Sequence, residues 1–339
     1  MSVSGADNQV GLQSLSLPDL SGVVPTSTEA RAKRRIAALE EELENMRQER
    51  GIKQRKTTYY VAQGRAIRRM VVLYTSLEDL VAKNNHRYEE GSPEDNTTEQ
   101  DHLQCGYIVL TQVLPWLHAK LGQLDIDECQ DMMKQLKRGA DAARGDDTST
   151  LKDLIASWLD DKQMRGFVRD ICGNLLCPSE VKAGIRDRTV DYIVLENSWP
   201  LFLYEKYMVN YGNLKQGLFK SKILVQAFKA IFTSPSSTRE ADGDGDGADI
   251  LENNRHAQRQ LNQAKVKTCV ASIINMRKVT PRSIAYVVCQ VRFALSNISS
   301  WCTIDGDFDY EGFWNNVVDF FEDVPGPVTQ CRVNQLLEW

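Results

Sequence analysis

Asp242, Asp244 and Asp246 alternate with glycines in EADGDGDGADILENN, a pattern whose carboxylates could hold calcium. A calcium loop of about twelve residues places oxygen ligands at its first, third and fifth positions, a glycine at the sixth and a bidentate Glu at the twelfth. Counted from Asp242, the early ligands and Gly247 fit. The eighth place, however, holds Asp249 where an apolar residue belongs, and the twelfth holds Asn253, with Glu252 one residue early. The preceding TSPSSTRE is no entering helix. The segment from Pro235 to about Ile250 therefore reads as a Gly/Asp connector, flexible because glycine restricts the backbone least.

A second acidic stretch, WCTIDGDFDYEGFW, fails in the same way. With Gly306 as the loop glycine, Asp305 and Asp309 fall in ligand places, but Trp301, Thr303 and Gly312 occupy the first, third and twelfth. It reads as an acidic loop leading into a final helix. A structural zinc site takes four ligands, mostly paired Cys and His. Cys172 and Cys177 have no second pair, and His86, His102, His118 and His256 are isolated. No glycine-rich phosphate loop, nucleophile elbow or HExxH motif occurs. The sequence thus supplies no catalytic residue, no metal site and no cofactor. A carboxylate site assembled from scattered acids stays open.

Charge segregation offers a different chemistry. Arg47–Arg69 carries eight Lys/Arg and one acid, Glu49. Within it, Lys53, Arg55, Lys56, Arg65, Arg68 and Arg69 flank Tyr59 and Tyr60, setting aromatic faces beside phosphate-binding cations. Residues 253–304 contain eight Lys/Arg and no acid, whereas 305–324 contain seven acids and no base. DNA or RNA is one partner such a distribution fits. The alternative is that basic and acidic segments of one fold complement each other, in keeping with a net charge of -5.

The elements that would position these residues are helical. Residues 1–26 read as a disordered Ser/Gly/Pro-rich tail. Thr26 and Glu29 have capping-box spacing. In the helix that follows, Ala32, Ile36, Leu39, Leu43 and Met46 recur at alternating spacings of four and three, an a/d seam of about two heptads. That seam suits either a homo-oligomer through residues 28–50 or packing on the rest of the chain. Gly51 and KQRK are expected to interrupt this helix. A second helix is expected from about Tyr59 to Lys83, followed by an acidic loop over 86–102. A buried helix over 103–122 is broken or ended by Pro115. Helices over 125–139 and 148–161 are expected to be separated by the turn-rich GADAARGDDTS. Further helices are expected to end at Ser234–Pro235, to run long after Ile250, to open at Thr280–Pro281, and to close the chain near Glu311–Phe321. Nothing reads as a strand–turn–strand pair.

SWPLFLYEKYMVN, GLFKSKILVQAFKAIFTSPSS and SIAYVVCQVRFALSNISSW resemble an uncharacterised domain family that recurs in basidiomycete fungi. The likeness is strongest over 190–339 and extends back to GRAIRRMVVLYTSLEDLV. It implies no activity, cofactor or site residue. The expectation is an all-α protein with a tail over 1–26, an amphipathic helix and basic linker over 27–56, and a helical domain over 57–339. No apolar run approaches the roughly 20 residues needed to cross a bilayer, so no membrane partner is expected. Eight scattered cysteines suit a reduced protein of the nucleus or cytoplasm. Two functions fit: an interaction protein that binds nucleic acid through its basic segment, or a self-assembling scaffold that does not.

Overall fold

The computed structural model describes residues 27–90, 97–160, 168–177, 187, 194–234, 237–238 and 269–338. The Gly/Asp connector, apart from Ser237 and Thr238, and the upstream part of the long helix expected after Ile250 lie outside the described residues, as does the N-terminal tail. The chain divides into two compact units, Met1–Arg55 and Lys56–Trp339. Helices dominate both, so the fold is all-α.

Helix α1 spans Ser27–Gly64 and continues through Gly51, where an interruption was expected. An interior glycine weakens a helix by only about 1 kcal/mol, and the neighbouring Lys, Gln and Arg are good helix formers. The helix expected over Tyr59–Lys83 is instead three pieces: the end of α1, a single turn α2 (Ile67–Met70), and α3 (Leu77–Glu90). Arg68 Nη1 donates to the Thr75 carbonyl at 2.9 Å, which ties the chain into the intervening bend. The Ser76 hydroxyl then accepts the Asp79 amide and caps α3.

Helix α4 (Thr98–Val113) is capped by Thr97, and Pro115 separates it from α5 (Leu117–Leu121), as the sequence leads one to expect. The acidic loop expected over 86–102 is shortened at both ends by α3 and α4. GADAARGDDTS does not form a turn either. It lies inside the 35-residue helix α6 (Ile126–Asp160). Its glycine and aspartates serve packing and pairing. Gly139 meets α1 so closely that a Cβ there would stand 2.1 Å from the Val61 carbonyl oxygen, and a Cβ on Gly64 would stand 2.1 Å from that of Leu136. The end of α1 and the middle of α6 therefore cross backbone to backbone.

After α7 (Val168–Leu176) comes α8 (Lys222–Phe232), whose N-cap is Ser221. Of the long helix expected to reach Val279, the described part contains only α9 (Val270–Ile273), ended by Asn275 at a φ of 54°. Helix α10 (Pro281–Leu295) opens with Thr280 and Ser283 forming a capping box and Pro281 in the first turn. The stretch expected to be only an acidic loop contains a hairpin. Strands β1 (Ile304–Asp305) and β2 (Phe308–Asp309) pair antiparallel, Ile304 opposite Asp309 and Asp305 opposite Phe308. Gly306 supplies the positive φ, 63°, that the two-residue turn needs. Two residues per strand leave no periodicity to read. Asp309 then caps α11 (Tyr310–Glu322). The helix near Glu311–Phe321 does not close the helical structure, because Pro327, after Pro325 and Gly326, opens a further helix, α12 (Pro327–Glu338).

Helix α10 is the centre of the second unit. Twelve of its 15 residues are buried, among them the polar Arg282, Ser283, Gln290 and Arg292. Helices α2, α6, α7, α8 and α11 all pack against it. A helix covered on every side needs partners for its polar residues as well as its apolar ones.

Substituting Gly139→Ala or Gly64→Ala should force α1 and α6 apart. The expected loss is about 1–3 kcal/mol, read as a Tm lower by several degrees in a circular-dichroism melt. Gly51→Ala, with nothing within 4 Å of its Cβ position, should not lower Tm.

Candidate interaction surface

The basic segment is divided in its surroundings. In the second unit Lys56 Nζ meets Glu128 at 3.2 Å, with both side chains near half exposed, and that hydrogen bond moves the lysine pKa up. Arg65 Nη2 reaches Asp146 at 2.8 Å. Arg68 is buried and donates from Nε to Asp141 at 3.2 Å. Burial pulls its pKa down, against the pull of Asp141. Arg69 is 1% exposed and grips Asp147 with two parallel hydrogen bonds, Nε to Oδ2 at 2.8 Å and Nη2 to Oδ1 at 2.7 Å. Burial opposes its charge, but the Asp147 hydrogen bonds and charge outweigh that and raise its pKa. Tyr60 is buried and stacks on Trp116 at 5.7 Å, while Tyr59, 47% exposed, leans on the same indole. In the first unit Lys53 and Arg55 are exposed.

Asp141, Asp146 and Asp147 escaped sequence reading because they sit in a stretch that looks like a turn. Spacing gave no matching signal. RAIRR sets Arg65, Arg68 and Arg69 at helical intervals, whereas the acids of DAARGDD, Asp141, Asp146 and Asp147, are spaced by five and one and do not mirror that pattern.

Asp147 is also the root of a buried polar chain. The Tyr286 hydroxyl donates to its Oδ2 at 2.7 Å, and burial holds that phenol far above its ordinary pKa, so it keeps its proton. Gln290 Nε2 donates to the Tyr286 oxygen at 2.9 Å, and its Oε1 lies 3.1 Å from the Thr148 hydroxyl. Thr148 in turn accepts Trp301 Nε1 at 2.7 Å. Trp301 lies flat on Phe293, with ring centroids 4.5 Å apart.

The acid-free stretch behaves in kind. Arg282 is buried, with a bidentate pair to Glu322 at 2.9 Å and a 2.7 Å hydrogen bond to the Val71 carbonyl. Arg292 is 6% exposed and stands 3.3 Å over the Phe308 ring. Arg277 and Lys278 are exposed, while Arg255, Arg259, Lys265 and Lys267 lie outside the described residues. His102 Nε2 lies 2.9 Å from Asp319 Oδ1, so two of the acids from 305–324, Asp319 and Glu322, have side-chain partners within the fold.

Apolar side chains stand exposed in a regular row along α1. In the first unit, every residue from Arg31 to Arg50 is exposed. Ile36, Leu39 and Met46 are each 56% exposed and Leu43 is 45% exposed. Among the described residues no group of three His, Cys, Asp or Glu could hold a metal ion, and no helix is long and apolar enough to cross a membrane. A half-open cavity of ≈ 210 Å³ lies between Lys215–Lys220 and α12, smaller than the roughly 300–1,000 Å³ of a ligand pocket.

By class this is an all-α protein whose second unit packs around one buried helix and whose first unit carries an exposed apolar row on α1. Residues 138–339 match a family of unknown function (DUF6698), and the chain belongs to that family. No curated protein and no solved structure matches it.

Replacing Asp147→Asn strands the buried Arg69 charge and should lower stability by about 3–5 kcal/mol in urea unfolding. Arg65→Ala removes a solvent-exposed pair and should change it by less than about 1 kcal/mol. Equal effects of the two substitutions would contradict this difference in burial.

Proposed function

We propose that this protein is a non-enzymatic helical interaction protein that self-associates through residues 28–50 of α1. The observation that carries the reading is the exposure of Ile36, Leu39, Leu43 and Met46 at heptad spacing, a stripe that the folded chain leaves in water. Apolar side chains at alternating intervals of four and three mate best with a second helix of the same period, and a second copy of this chain supplies one. The seam has about two heptads, fewer than the three or four of a secure coiled coil, so association is weak and concentration-dependent. The setting we assign is a reducing compartment, nucleus or cytoplasm, in keeping with eight free cysteines. The resemblance of SWPLFLYEKYMVN, GLFKSKILVQAFKAIFTSPSS and SIAYVVCQVRFALSNISSW to a basidiomycete domain family supports assigning a fungal origin.

Sedimentation equilibrium on the full chain over a wide concentration range tests the reading. The wild-type chain should move toward dimer as concentration rises. Leu39→Asp with Leu43→Asp should stay monomeric with an unchanged body melt. A wild-type chain monomeric throughout would overturn the proposal.

A second reading, binding of DNA or RNA, is favoured by the exposure of Arg47, Arg50, Lys53 and Arg55. It gains little from Arg65, Arg68 and Arg69, which are already held by carboxylates. Filter binding of a generic duplex or single strand between about 50 and 200 mM salt should then weaken steeply as counterions are released. Lys53→Ala with Arg55→Ala should flatten that salt slope. Binding that ignores salt would sink the reading.

A further inference from the structure

The charges beside the seam specify how two copies meet. With Ile36 and Leu43 at a and Leu39 and Met46 at d, the flanking g positions are Arg35 and Glu42 and the flanking e positions are Glu40 and Arg47. All four side chains are exposed, so none is consumed in the interior. In a parallel pair without stagger, each g residue faces the e residue five places later on the other strand. Arg35 then faces Glu40 of the second copy, and Glu42 faces its Arg47. Both contacts join opposite charges, and each occurs twice by symmetry.

The reverse orientation fares worse. Keeping the apolar layers matched in an antiparallel pair sets Ile36 against Met46 and Leu39 against Leu43. Residues at g then face g, and residues at e face e. Arg35 finds Glu49, but Glu42 faces Glu42, Glu40 faces Glu40, and Lys33 faces Arg47. Like charges in these places select against the orientation. The C-terminal end of the seam is set by the same rule. The next a and d residues, Arg50 and Lys53, would put cations face to face across the axis, so the paired stretch stops near Glu49.

We infer that α1 pairs with a second copy of this chain as a parallel, in-register two-stranded coiled coil over residues 32–49, its orientation selected by Arg35–Glu40 and Glu42–Arg47 contacts between strands. This rests on the self-association proposed above, and the test separates the two. Glu40→Lys is the informative substitution. In the parallel pair it turns two attractive contacts repulsive. In the antiparallel pair it replaces one like-charge contact by another.

Sedimentation equilibrium of full-length variants at low salt reads the outcome, with circular dichroism as the control for helix content. Glu40→Lys should weaken dimerisation by about tenfold or more. Adding Arg35→Glu should restore it, because the contact is re-formed with its charges exchanged. An antiparallel pair would leave Glu40→Lys unaffected and would weaken in the double variant, where the acid introduced by Arg35→Glu would face Glu49. That result overturns the orientation and leaves self-association standing. A wild-type chain that never dimerises overturns both.

Discussion

The second unit is organised by the burial of one charge pair, Arg69 with Asp147. Taking two ions out of water carries a desolvation penalty that only close, fully hydrogen-bonded geometry can offset. Here the geometry is bidentate, and Tyr286 fills a further lone pair of the carboxylate. Those three side chains come from α2, α6 and α10, so the helices cannot shift independently. Moving α6 by one residue would rotate Asp147 by about 100° around its axis and leave both partners unpaired. Apolar packing tolerates many registers at little difference in energy. The polar chain from Arg69 through Asp147, Tyr286, Gln290 and Thr148 to Trp301 tolerates one, because each acceptor along it is matched to a particular donor.

The same logic explains why α10 can lie at the centre while carrying two arginines and a glutamine. Each long polar side chain is assigned to a different neighbour. Arg282 goes to Glu322 on α11 and to the Val71 carbonyl beside α2, and Gln290 goes to Thr148 on α6. Arg292 goes to the ring face of Phe308 in the hairpin. Burial pulls the Arg292 pKa down, yet a guanidinium stays protonated, and its charge rests against aromatic faces. The segment shared with the family begins at residue 138, inside α6. Its acids Asp141 and Asp147 nevertheless find their cations upstream, at Arg68 and Arg69, and Arg282 finds the Val71 carbonyl there. The cooperative body therefore includes residues N-terminal to the shared segment.

Much of the helical architecture was legible, and the reasons vary by element. Thr280 and Pro281 mark a helix start through local chemistry, which is what sequence conveys best. The same holds for Pro115, which separates α4 from α5. The errors share another cause. Gly139 and the aspartates after it look like a turn because glycine and aspartate favour turns in isolation, yet in the fold they serve contacts with residues more than 70 positions away. Gly51 misleads in the same direction. RRM after Arg65 looks like helix interior, and the chain bends there because Arg68 reaches Thr75. Local propensity is a weak prior wherever a distant partner supplies more energy than the propensity withholds. The candidate basic site was legible as composition only. Which of its cations face water depends on acids that no local window contains.

That last point bears on how charge segregation should be read in a chain of this kind. Arg47–Arg69 looks like one basic surface in sequence, but its C-terminal half is answered by Glu128, Asp141, Asp146 and Asp147, whereas Arg47, Arg50, Lys53 and Arg55 remain in water. A cluster of like charges at helix spacing has two stable resolutions. Opposite charges from the same chain can meet it, as they do for Arg65, Arg68 and Arg69. Otherwise it stays solvated, with a self-repulsion that an external partner or distance must relieve. The seam residues just before Arg50 present the apolar counterpart of that choice, since Ile36, Leu39, Leu43 and Met46 are also exposed. Both unanswered sets lie on the exposed part of α1. In the second unit, by contrast, the buried Arg69 and Arg282 are met by Asp147 and Glu322, and Arg292 rests on the Phe308 ring.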